Sequence, residues 1–546
     1  MPAPRRDHGW LRRAQRLGLV LVLAACTADG IEDPQTYDAS SASRLFTVGY
    51  QDISDIYIEE LAISELALAG LEGLADLDPD LRFWVSGKTV LVSHIKRPIG
   101  SFPAPEAMDA ESWGDLTASV VETGRTISPV LARADSEELY EAVFDGMVTQ
   151  LDGFSRYAGR EDAREQRAIR DGFGGIGVRI RVTDGGVKIL SVIEKTPAER
   201  SDLQVEDIIT DIDGVTAIGL SKREAVRRLR GPIRTRVDLI VWRESEELSL
   251  PMTLTRALVV EQTVEYRADN GIGYLRVSNF NQGTARSVRQ KLKRAREDMD
   301  DLLIGFVLDL RGNPGGLLDQ GVEVADLFVT DGRILSTHGR HPDSHQYFDA
   351  ESDDLADGHP VVVLLDGSSA SASEIVAAAL QDAGRAVLIG TTTFGKGTVQ
   401  QVLPLPNDGE LTLTWAKFHA PSGYALEARG VLPNLCTSGD IEGAGDVIRR
   451  LRRGEFPLYH YTADTASKRD DPAQIAALQS RCPKRDGEPE IDLQVARTIL
   501  ESPALYARAL GEGPDSAAAE PDQLQPGMAV ACGTNSPDRS TQPGSC

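Results

Sequence analysis

Residues 366–402 read DGSSASASEIVAAALQDAGRAVLIGTTTFGKGTVQQV, and this stretch decides the fold of the chain around it. A serine-rich loop leads into a predicted helix over 371–383, which is followed by the short apolar strand Ala386–Ile389. A glycine-flanked turn then leads to a second strand-like run, TVQQV. This order of helix and strand is typical of an α/β unit.

The same alternation extends over residues 258–434. Helices are predicted at 282–299 and 316–328, between short apolar runs that read as strands. These strands are Ile272–Val277, Ile304–Leu310 and Val361–Leu365. The sequence therefore predicts an α/β domain over this range.

Ser371 and Lys396 are the candidate catalytic pair. Ser371 stands where a helix begins, so the helix N-terminus would supply free backbone N–H groups, including that of Ala372, next to the hydroxyl. A neutral lysine can activate a serine in place of a histidine, and burial is what makes a lysine neutral. Gln400, four residues after Lys396 on a predicted strand, would share a face with it. Two plainer interpretations stay open: Ser371-Ala-Ser-Glu374 is also a capping box, and Lys396 would suit a surface turn.

This stretch resembles, nearly residue for residue, the active-site block of the carboxyl-terminal processing (tail-specific) serine peptidases. The resemblance runs from about residue 139 to 434. It implies a crotonase/Clp-protease-like α/β peptidase core with an inserted PDZ domain and an N-terminal helical region. It further implies that the middle serine of SASAS, Ser371, is the nucleophile rather than Ser369 or Ser373. Lys396 would be the base and Gln400 would orient it.

The run Asp309-Leu-Arg-Gly-Asn-Pro-Gly-Gly316 is similar to the D-L-R-x-N-x-G-G loop of the same family. That loop lies beside the nucleophile and donates to the oxyanion, which the resemblance assigns to Gly315 or Gly316, together with Ala372. Asp309, Arg311 and Asn313 would brace the loop. The implied activity is a serine endopeptidase without a cofactor or metal, acting on proteins or peptides with free C-termini.

Residues 172–257 read as a compact β-rich module that resembles a PDZ domain of the bacterial, circularly permuted kind. Gly174-Gly175-Ile176-Gly177 is similar to its carboxylate-binding loop, which holds a peptide C-terminus in backbone amides. Arg230 resembles a family position that couples peptide docking to the active site, although a helix C-terminal charge explains it equally. The chain departs from the family at Glu206, where a glycine usually stands.

The N-terminal 26 residues read as a lipoprotein signal peptide. Arginines precede the short apolar run Leu17–Ala25, which is too short to span a bilayer. Leu23-Ala-Ala-Cys26 resembles a lipobox, so we expect Cys26 to carry a lipid anchor and the protein to be exported and held on a bacterial membrane, facing the periplasm or the cell exterior. An ordinary signal peptide with a chance cysteine is the alternative.

The rest of the chain divides more loosely. A small, polar tether is predicted over 27–45, followed by a helical region to residue 171, and after residue 434 a helical extension over 435–510 with three helices and a disordered tail over 511–546. Four further cysteines permit two disulfides in any of three connectivities; they are Cys436, Cys482, Cys532 and Cys546.

Composition and motifs weigh against other functions. The net charge of −25 argues against a nucleic-acid partner, which needs a basic surface; oligomeric state stays open.

Gly390–Lys396 matches a phosphate-binding G-x-x-x-x-G-K motif, but Gly397 stands where Ser or Thr should hold magnesium, and a strand follows instead of a helix. Glu374 replaces the lysine of an S-x-x-K site. A cluster of histidines is read as a polar loop rather than a metal site; it contains His338, His341 and His345.

Two other classes remain as alternatives to the peptidase. One is a non-catalytic scaffold that uses only its PDZ domain, and the other is a crotonase-type acyl-CoA enzyme. The complete set of Ser371, Lys396 and Gln400 disfavours the first. The PDZ-like module and the lipobox disfavour the second.

Overall fold

The computed structural model describes residues 37–351, 353–456, 472–487 and 489–511. The predicted signal peptide with Cys26, and nearly all of the predicted tail with Cys532 and Cys546, lie outside these residues. No helix within the described ranges has both the length and the apolar character needed to cross a bilayer.

The N-terminal module is a set of helices packed around one apolar core, with a small antiparallel sheet at its side. Two further elements, β4 and α6, connect it to the rest of the chain. In chain order the elements are α1 (Ala39–Ile56), α2 (Ile63–Leu77), β1 (Leu81–Ser86), β2 (Thr89–His94), β3 (Arg97–Pro103), α3 (Ala110–Ile127), α4 (Pro129–Arg133), α5 (Ser136–Val148), β4 (Arg156–Ala158) and α6 (Arg160–Arg170).

The structure corrects the prediction for this region in two places. The predicted tether overlaps α1, which begins at Ala39 because the Asp38 carboxylate caps it, accepting from the Ser41 N–H at 2.7 Å. The predicted N-terminal helical region also contains the sheet β1-β2-β3, which is not predicted from the sequence. Gly87, with φ at 63°, forms the two-residue turn that lets β1 and β2 pair.

The β-rich module has its own apolar core. Its main sheet has the order β11-β10-β8-β7-β6, with β9 beside β8, so β6 is an edge strand. The elements are β5 (Phe173–Gly175), β6 (Val178–Thr183), β7 (Gly186–Val192), β8 (Ile208–Ile212), β9 (Val215–Thr216), α7 (Lys222–Leu229), β10 (Arg236–Arg243), β11 (Leu248–Thr255) and β12 (Ala257–Val259).

Two details of this module follow from its sequence. The helix α7 begins where predicted, because the Ser221 side chain accepts from the Glu224 N–H. Glu206 has a φ of 78°, a conformation that glycine adopts without strain, which accounts for the glycine usual at this position in PDZ domains of this kind. The chain enters and leaves through β5 and β12, which pair with each other.

The α/β core is built on a sheet of order β13-β14-β15-β18-β19-β22, parallel except for the edge strand β13. A second, antiparallel sheet, β17-β16-β21-β20, lies beside it, and β4 pairs with β21. The elements are β13 (Val264–Asp269), β14 (Ile272–Val277), α8 (Thr284–Met299), β15 (Gly305–Asp309), α9 (Leu318–Asp326), β16 (Arg333–His338), β17 (Gln346–Asp349), β18 (Val361–Leu365), α10 (Ala372–Asp382), β19 (Val387–Gly390), β20 (Thr398–Pro404), β21 (Glu410–His419) and β22 (Leu435–Cys436).

Both faces of the parallel sheet are buried, and successive residues alternate between them. Leu308 and Val363 pack with α8, α9 and α10 in one core. Val307 and Val362 pack on the opposite side, against helices from the C-terminal region. This explains why these strands read as continuous apolar runs.

The C-terminal region is therefore a layer of the α/β core, and the predicted boundary at residue 434 cuts through it. The described part of this region contains four helices where the sequence predicts three: α11 (Ala444–Arg453), α12 (Pro472–Arg481), α13 (Glu490–Leu500) and α14 (Pro503–Leu510). Three of them, α11, α13 and α14, cover the second face of the sheet. A disulfide joins Cys436 at the end of β22 to Cys482 just after α12.

Candidate active site

Three loops meet at one edge of the parallel sheet, because each follows one of the neighbouring strands β15, β18 and β19. We call them the 310–317 loop, the 366–371 loop and the 391–397 loop. They border a cleft of about 340 Å³ that Ser371, Lys396, Gln400 and Gly316 all line. Most of its other walls are apolar, formed by Phe280, Leu317, Ile375, Val399, Val402 and Phe418.

Ser371 occupies the N-cap of α10 with φ at 54° and ψ at −116°. This conformation is costly for a residue with a side chain, and such strain is concentrated at functional sites. The two neighbouring serines are buried and engaged: Ser369 Oγ donates to the Leu310 carbonyl, and Ser373 Oγ to the Asn313 carbonyl. Of the three serines in SASAS, only Ser371 lines the cleft.

Glu374 links the loop of Ser371 to the loop of Lys396. Its carboxylate is fully buried and accepts from the Ser371 N–H at 2.8 Å and the Lys396 N–H at 2.9 Å through one oxygen. The other oxygen accepts from Thr393 Oγ1 and the Gly395 N–H. Burial raises the pKa of Glu374 to about 7, although these four donors act in the opposite direction. The sequence alone does not predict this link, because contacts across about twenty residues leave no local pattern; there Glu374 is only the last residue of a capping box and the position that breaks an S-x-x-K motif.

Lys396 is half-buried and lies two residues before the start of β20. Burial lowers the pKa of its ammonium group, and the Arg156 guanidinium lowers it further by repulsion, while Asp152 and Glu374 act in the opposite direction. The Phe154 ring covers the ammonium nitrogen, with 5.1 Å between nitrogen and ring centroid. Among the residues that the structure describes, Lys396 forms no ion pair that would hold it charged. Burial and the Arg156 charge therefore shift Lys396 toward the neutral amine, while the ring face of Phe154 attracts the charged form.

Gln400 lies in the same cleft, but it does not share one face of a strand with Lys396 as predicted. Lys396 precedes β20, and the pairing of β20 with β21 shifts register between Val399 and Gln400. The Gln400 amide nitrogen donates to Thr398 Oγ1 at 2.8 Å and to Thr414 Oγ1 at 3.1 Å. These two bonds fix the orientation of the amide and use both of its N–H groups.

The 310–317 loop packs directly on Ser371. Gly315 has a φ of 100°, and a Cβ there would lie 2.7 Å from the Ser371 Cβ and 3.0 Å from the Ala372 nitrogen. The Gly315 N–H already donates to Asn313 Oδ1 at 2.9 Å. Of the two glycines left open by the sequence, Gly316 is the one whose exposed backbone lines the cleft.

The three predicted bracing residues are buried beneath this loop. Asp309 pairs with Arg311 and accepts from the Tyr274 hydroxyl at 2.6 Å. Asn313 donates to the Val277 carbonyl. Arg311 also reaches Asp492 of α13 at 3.2 Å, a partner from the C-terminal layer that sequence reasoning missed. The only signal for Asp492 in the sequence is that an acidic residue stands on the apolar face of a predicted helix.

The β-rich module has a second, smaller cavity of about 70 Å³ between β6 and α7, lined by Ile176, Gly177, Val178, Val226 and Arg230, among others. Gly174 and Gly175 belong to strand β5, so only Ile176 and Gly177 form the loop that the sequence assigned to all four. The Arg230 guanidinium stacks on the Phe173 ring at 3.8 Å, and burial lowers its pKa.

The predicted histidine cluster lies on β16 and the turn after it, where His338 and His345 contact each other through their rings at 5.3 Å. Their Nδ1 atoms lie 3.3 Å apart, and His345 Nε2 faces the Gly339 carbonyl at 3.1 Å. The run after Lys396 is strand β20, as the sequence predicts, so no helix faces the turn as it would in a phosphate-binding loop.

Family models match two parts of the chain: peptidase family S41 over residues 271–436 and a PDZ domain over residues 174–254. The chain is 40% identical over 303 residues to a carboxy-terminal-processing protease of Bartonella bacilliformis, covering 55% of this chain and 70% of that protein. It is 34% identical to a carboxyl-terminal-processing protease of Synechocystis, covering 57% and 75%. It is 32% identical to the carboxy-terminal processing protease CtpB of Bacillus subtilis, covering 61% and 70%.

Proposed function

The chain belongs to the carboxy-terminal processing serine proteases of peptidase family S41, with a PDZ domain, and from this premise we propose that Ser371 is its nucleophile and Lys396 its general base. The observation that carries the proposal is the shared cleft, which is lined both by a strained serine and by a half-buried lysine that has no ion-pair partner among the described residues.

The reaction is acyl transfer in two steps. Neutral Lys396 takes the proton of the Ser371 hydroxyl as its oxygen attacks the scissile carbonyl, and returns that proton to the leaving amine. The backbone N–H groups of Ala372 and Gly316 stabilise the oxyanion. Water then attacks the acyl-enzyme, with Lys396 again as base, and releases the new C-terminus. Gln400, held by two threonines, positions Lys396.

The PDZ domain selects the substrate. Its edge strand β6 offers unpaired backbone to an extended peptide, and the cavity beside α7 accepts the last side chain. Ile176 and Gly177 offer backbone amides to the terminal carboxylate, and Arg230 lies at the end of the same cavity. The substrate class is therefore unfolded protein chains with free, apolar C-termini.

We also propose that the protein is exported and lipid-anchored through Cys26. The disulfide Cys436–Cys482 supports export, because such bonds persist in oxidising compartments. Membrane fractionation tests the anchor: Cys26→Ser should release the protein without loss of activity, and retention of this variant would contradict lipidation.

The catalytic assignment is tested with full-length protein and an unfolded substrate that has an apolar C-terminus. Ser371→Ala and Lys396→Ala should each lower kcat by a factor on the order of 10⁴ or more, and the double variant should be no worse than either, because the pair acts as one unit. Lys293→Ala, an exposed lysine on α8, is the control. Near-normal activity of Lys396→Ala would overturn the assignment, and full activity without Ser371 would favour a different nucleophile.

A further inference from the structure

A short segment of the C-terminal region touches both loops that carry the catalytic pair. This segment, Cys482–Gly487, follows α12 and is fastened at its first residue by the disulfide to Cys436. We call it the strap. The family model for the peptidase ends at residue 436, so the strap lies outside the matched region.

The strap binds the 391–397 loop near its first residue. The carbonyl of Cys482 accepts from Thr392 Oγ1 at 2.6 Å. The Lys484 ammonium group donates to the carbonyl of Phe394 at 2.7 Å, two residues before Lys396. The backbone leading to Lys396 is therefore held from outside the α/β sheet.

The last two residues of the strap, Asp486 and Gly487, bind the 366–371 loop. Ser368 Oγ donates to Asp486 Oδ1 at 3.0 Å, and the Gly487 N–H donates to Asp366 Oδ2 at 3.2 Å. These residues lie three and five positions before Ser371. The loop that ends in the nucleophile is thus held by the same six residues.

One atom of the strap joins the two loops. The carbonyl oxygen of Arg485 accepts from the Gly367 N–H at 2.8 Å and from Thr391 Oγ1 at 3.3 Å. The Arg485 guanidinium meanwhile bonds to Asp492, which also pairs with Arg311 beneath the oxyanion loop. All three loops of the site are therefore connected through the strap and its neighbour α13.

We propose that the strap is a positioning element for catalysis and that the disulfide keeps it in place. The proposal rests on the assignment of Ser371 and Lys396 above, because its effect is on their separation. Glu374 holds the two loops together from inside the fold, and the strap holds them from outside. With the disulfide broken, the carbonyl groups of Cys482 and Arg485 that hold the two loops are free to shift. A shift of about 1 Å between catalytic residues such as Ser371 and Lys396 costs up to about 100-fold in rate.

The test compares wild type with Cys436→Ala/Cys482→Ala in the full chain, using kcat, KM, the pH profile of kcat and thermal unfolding. We expect kcat to fall about 10- to 100-fold with KM unchanged, and the rising limb of the pH profile to move, because the surroundings of Lys396 change. A reductant should lower kcat of the wild type by the same factor and leave the double variant unaffected. An equal loss in the double variant would trace the effect to other cysteines and overturn the proposal.

A second variant guards against misfolding of the disulfide mutant. Lys484 is exposed, so Lys484→Met should fold normally but lose the bond to Phe394, with a lower kcat and a moved pH limb. Lys293→Met on α8 is the control, and we expect it to match wild type. If Ser371→Ala and Lys396→Ala are inactive while both strap variants keep the wild-type kcat and pH profile, the strap proposal alone fails. If Lys396→Ala is active, the proposed function itself fails.

Discussion

The carboxylate of Glu374 accepts a hydrogen bond from the backbone N–H of Lys396 at 2.9 Å, across 22 residues of sequence. The same oxygen accepts from the N–H of Ser371. One buried carboxylate, whose pKa burial raises to about 7, therefore links the backbones of the two proposed catalytic residues directly. This relationship makes Glu374 the most informative residue to change outside the pair itself.

Glu374→Gln should lower kcat by about 10²-fold, the loss expected when catalytic groups are misplaced by about 1 Å. Each carboxylate oxygen serves two donors, so an amide leaves two of the four donors facing an NH₂ group. The negative charge of Glu374 raises the pKa of Lys396. Its removal should therefore lower that pKa and move the rising limb of the pH profile to lower pH. Glu323→Gln, exposed on α9, is the control. An unchanged kcat would show that the link is not needed.

Activity should rise with pH until Lys396 is neutral, and Arg156→Met should move this rise to higher pH. The Arg156 charge repels the ammonium group and helps to lower its pKa, so its removal lets that pKa rise toward the ordinary value. The plateau at high pH should change little. Measuring kcat against pH for Arg156→Met and for the exposed control Arg289→Met checks this. A profile that does not move would mean that burial alone sets the lysine's pKa.

Gly315→Ala should abolish most activity, and Gly332→Ala should not. Both glycines have positive φ, at 100° and 91°, so both substitutions should cost about 1–2 kcal/mol of stability from backbone strain. Only at position 315 does the added Cβ meet other atoms, and those belong to Ser371 and its neighbours. Stability to chemical denaturation and kcat are measured for both variants. Backbone strain should lower the stability of both, whereas contact of the new Cβ with Ser371 and its neighbours should lower kcat only for Gly315→Ala. Equal kcat in the two variants would contradict the close packing of Gly315 on Ser371.

A chain that ends at residue 436 should fail to fold as a soluble protein. It keeps the whole region matched by the peptidase family model but loses α11, α13 and α14, which cover the second face of the parallel sheet. An exposed apolar face of that size favours aggregation. Solubility and circular dichroism, compared with a chain that ends at residue 511, give the measurement. A soluble, active shorter chain would show that the C-terminal layer is dispensable.

Amidation of a substrate's C-terminus should raise KM for long, unfolded substrates. It removes the charge that backbone amides of a PDZ domain recognise, and leaves the scissile bond unchanged. The comparison uses two substrates that differ only in the terminal group. Val226→Arg, which places a charge in the cavity beside α7, should reduce the difference between them. Equal KM values for the two substrates with the wild type would place selection outside this module.

The sequence predicts the α/β core well because its signals are local. Apolar runs mark β14, β15, β18 and β19, and a serine cap marks the start of α10. The candidate pair could be named for the same reason, since each residue stands at a predicted boundary between elements. Predicting that both line one cleft needed the family resemblance as well.

Other features depend on contacts that sequence spacing does not record. The register shift next to Gln400 breaks the two-residue period on which its placement relied. Arg311 and Asp492 pair across 181 residues, and no local sequence pattern predicts such a distant partner. The sheet β1-β2-β3 escaped prediction because its strands are short and lie between strong helical signals.

The antiparallel pair of β5 and β12 has a practical consequence for protein engineering. Phe173 faces Val259 across this two-stranded ribbon, so the chain leaves the peptidase and returns to it at almost the same point. A foreign domain whose termini lie close together could be spliced in at this junction without stretching the backbone on either side. The ribbon therefore marks where the PDZ domain could be exchanged for another binding domain.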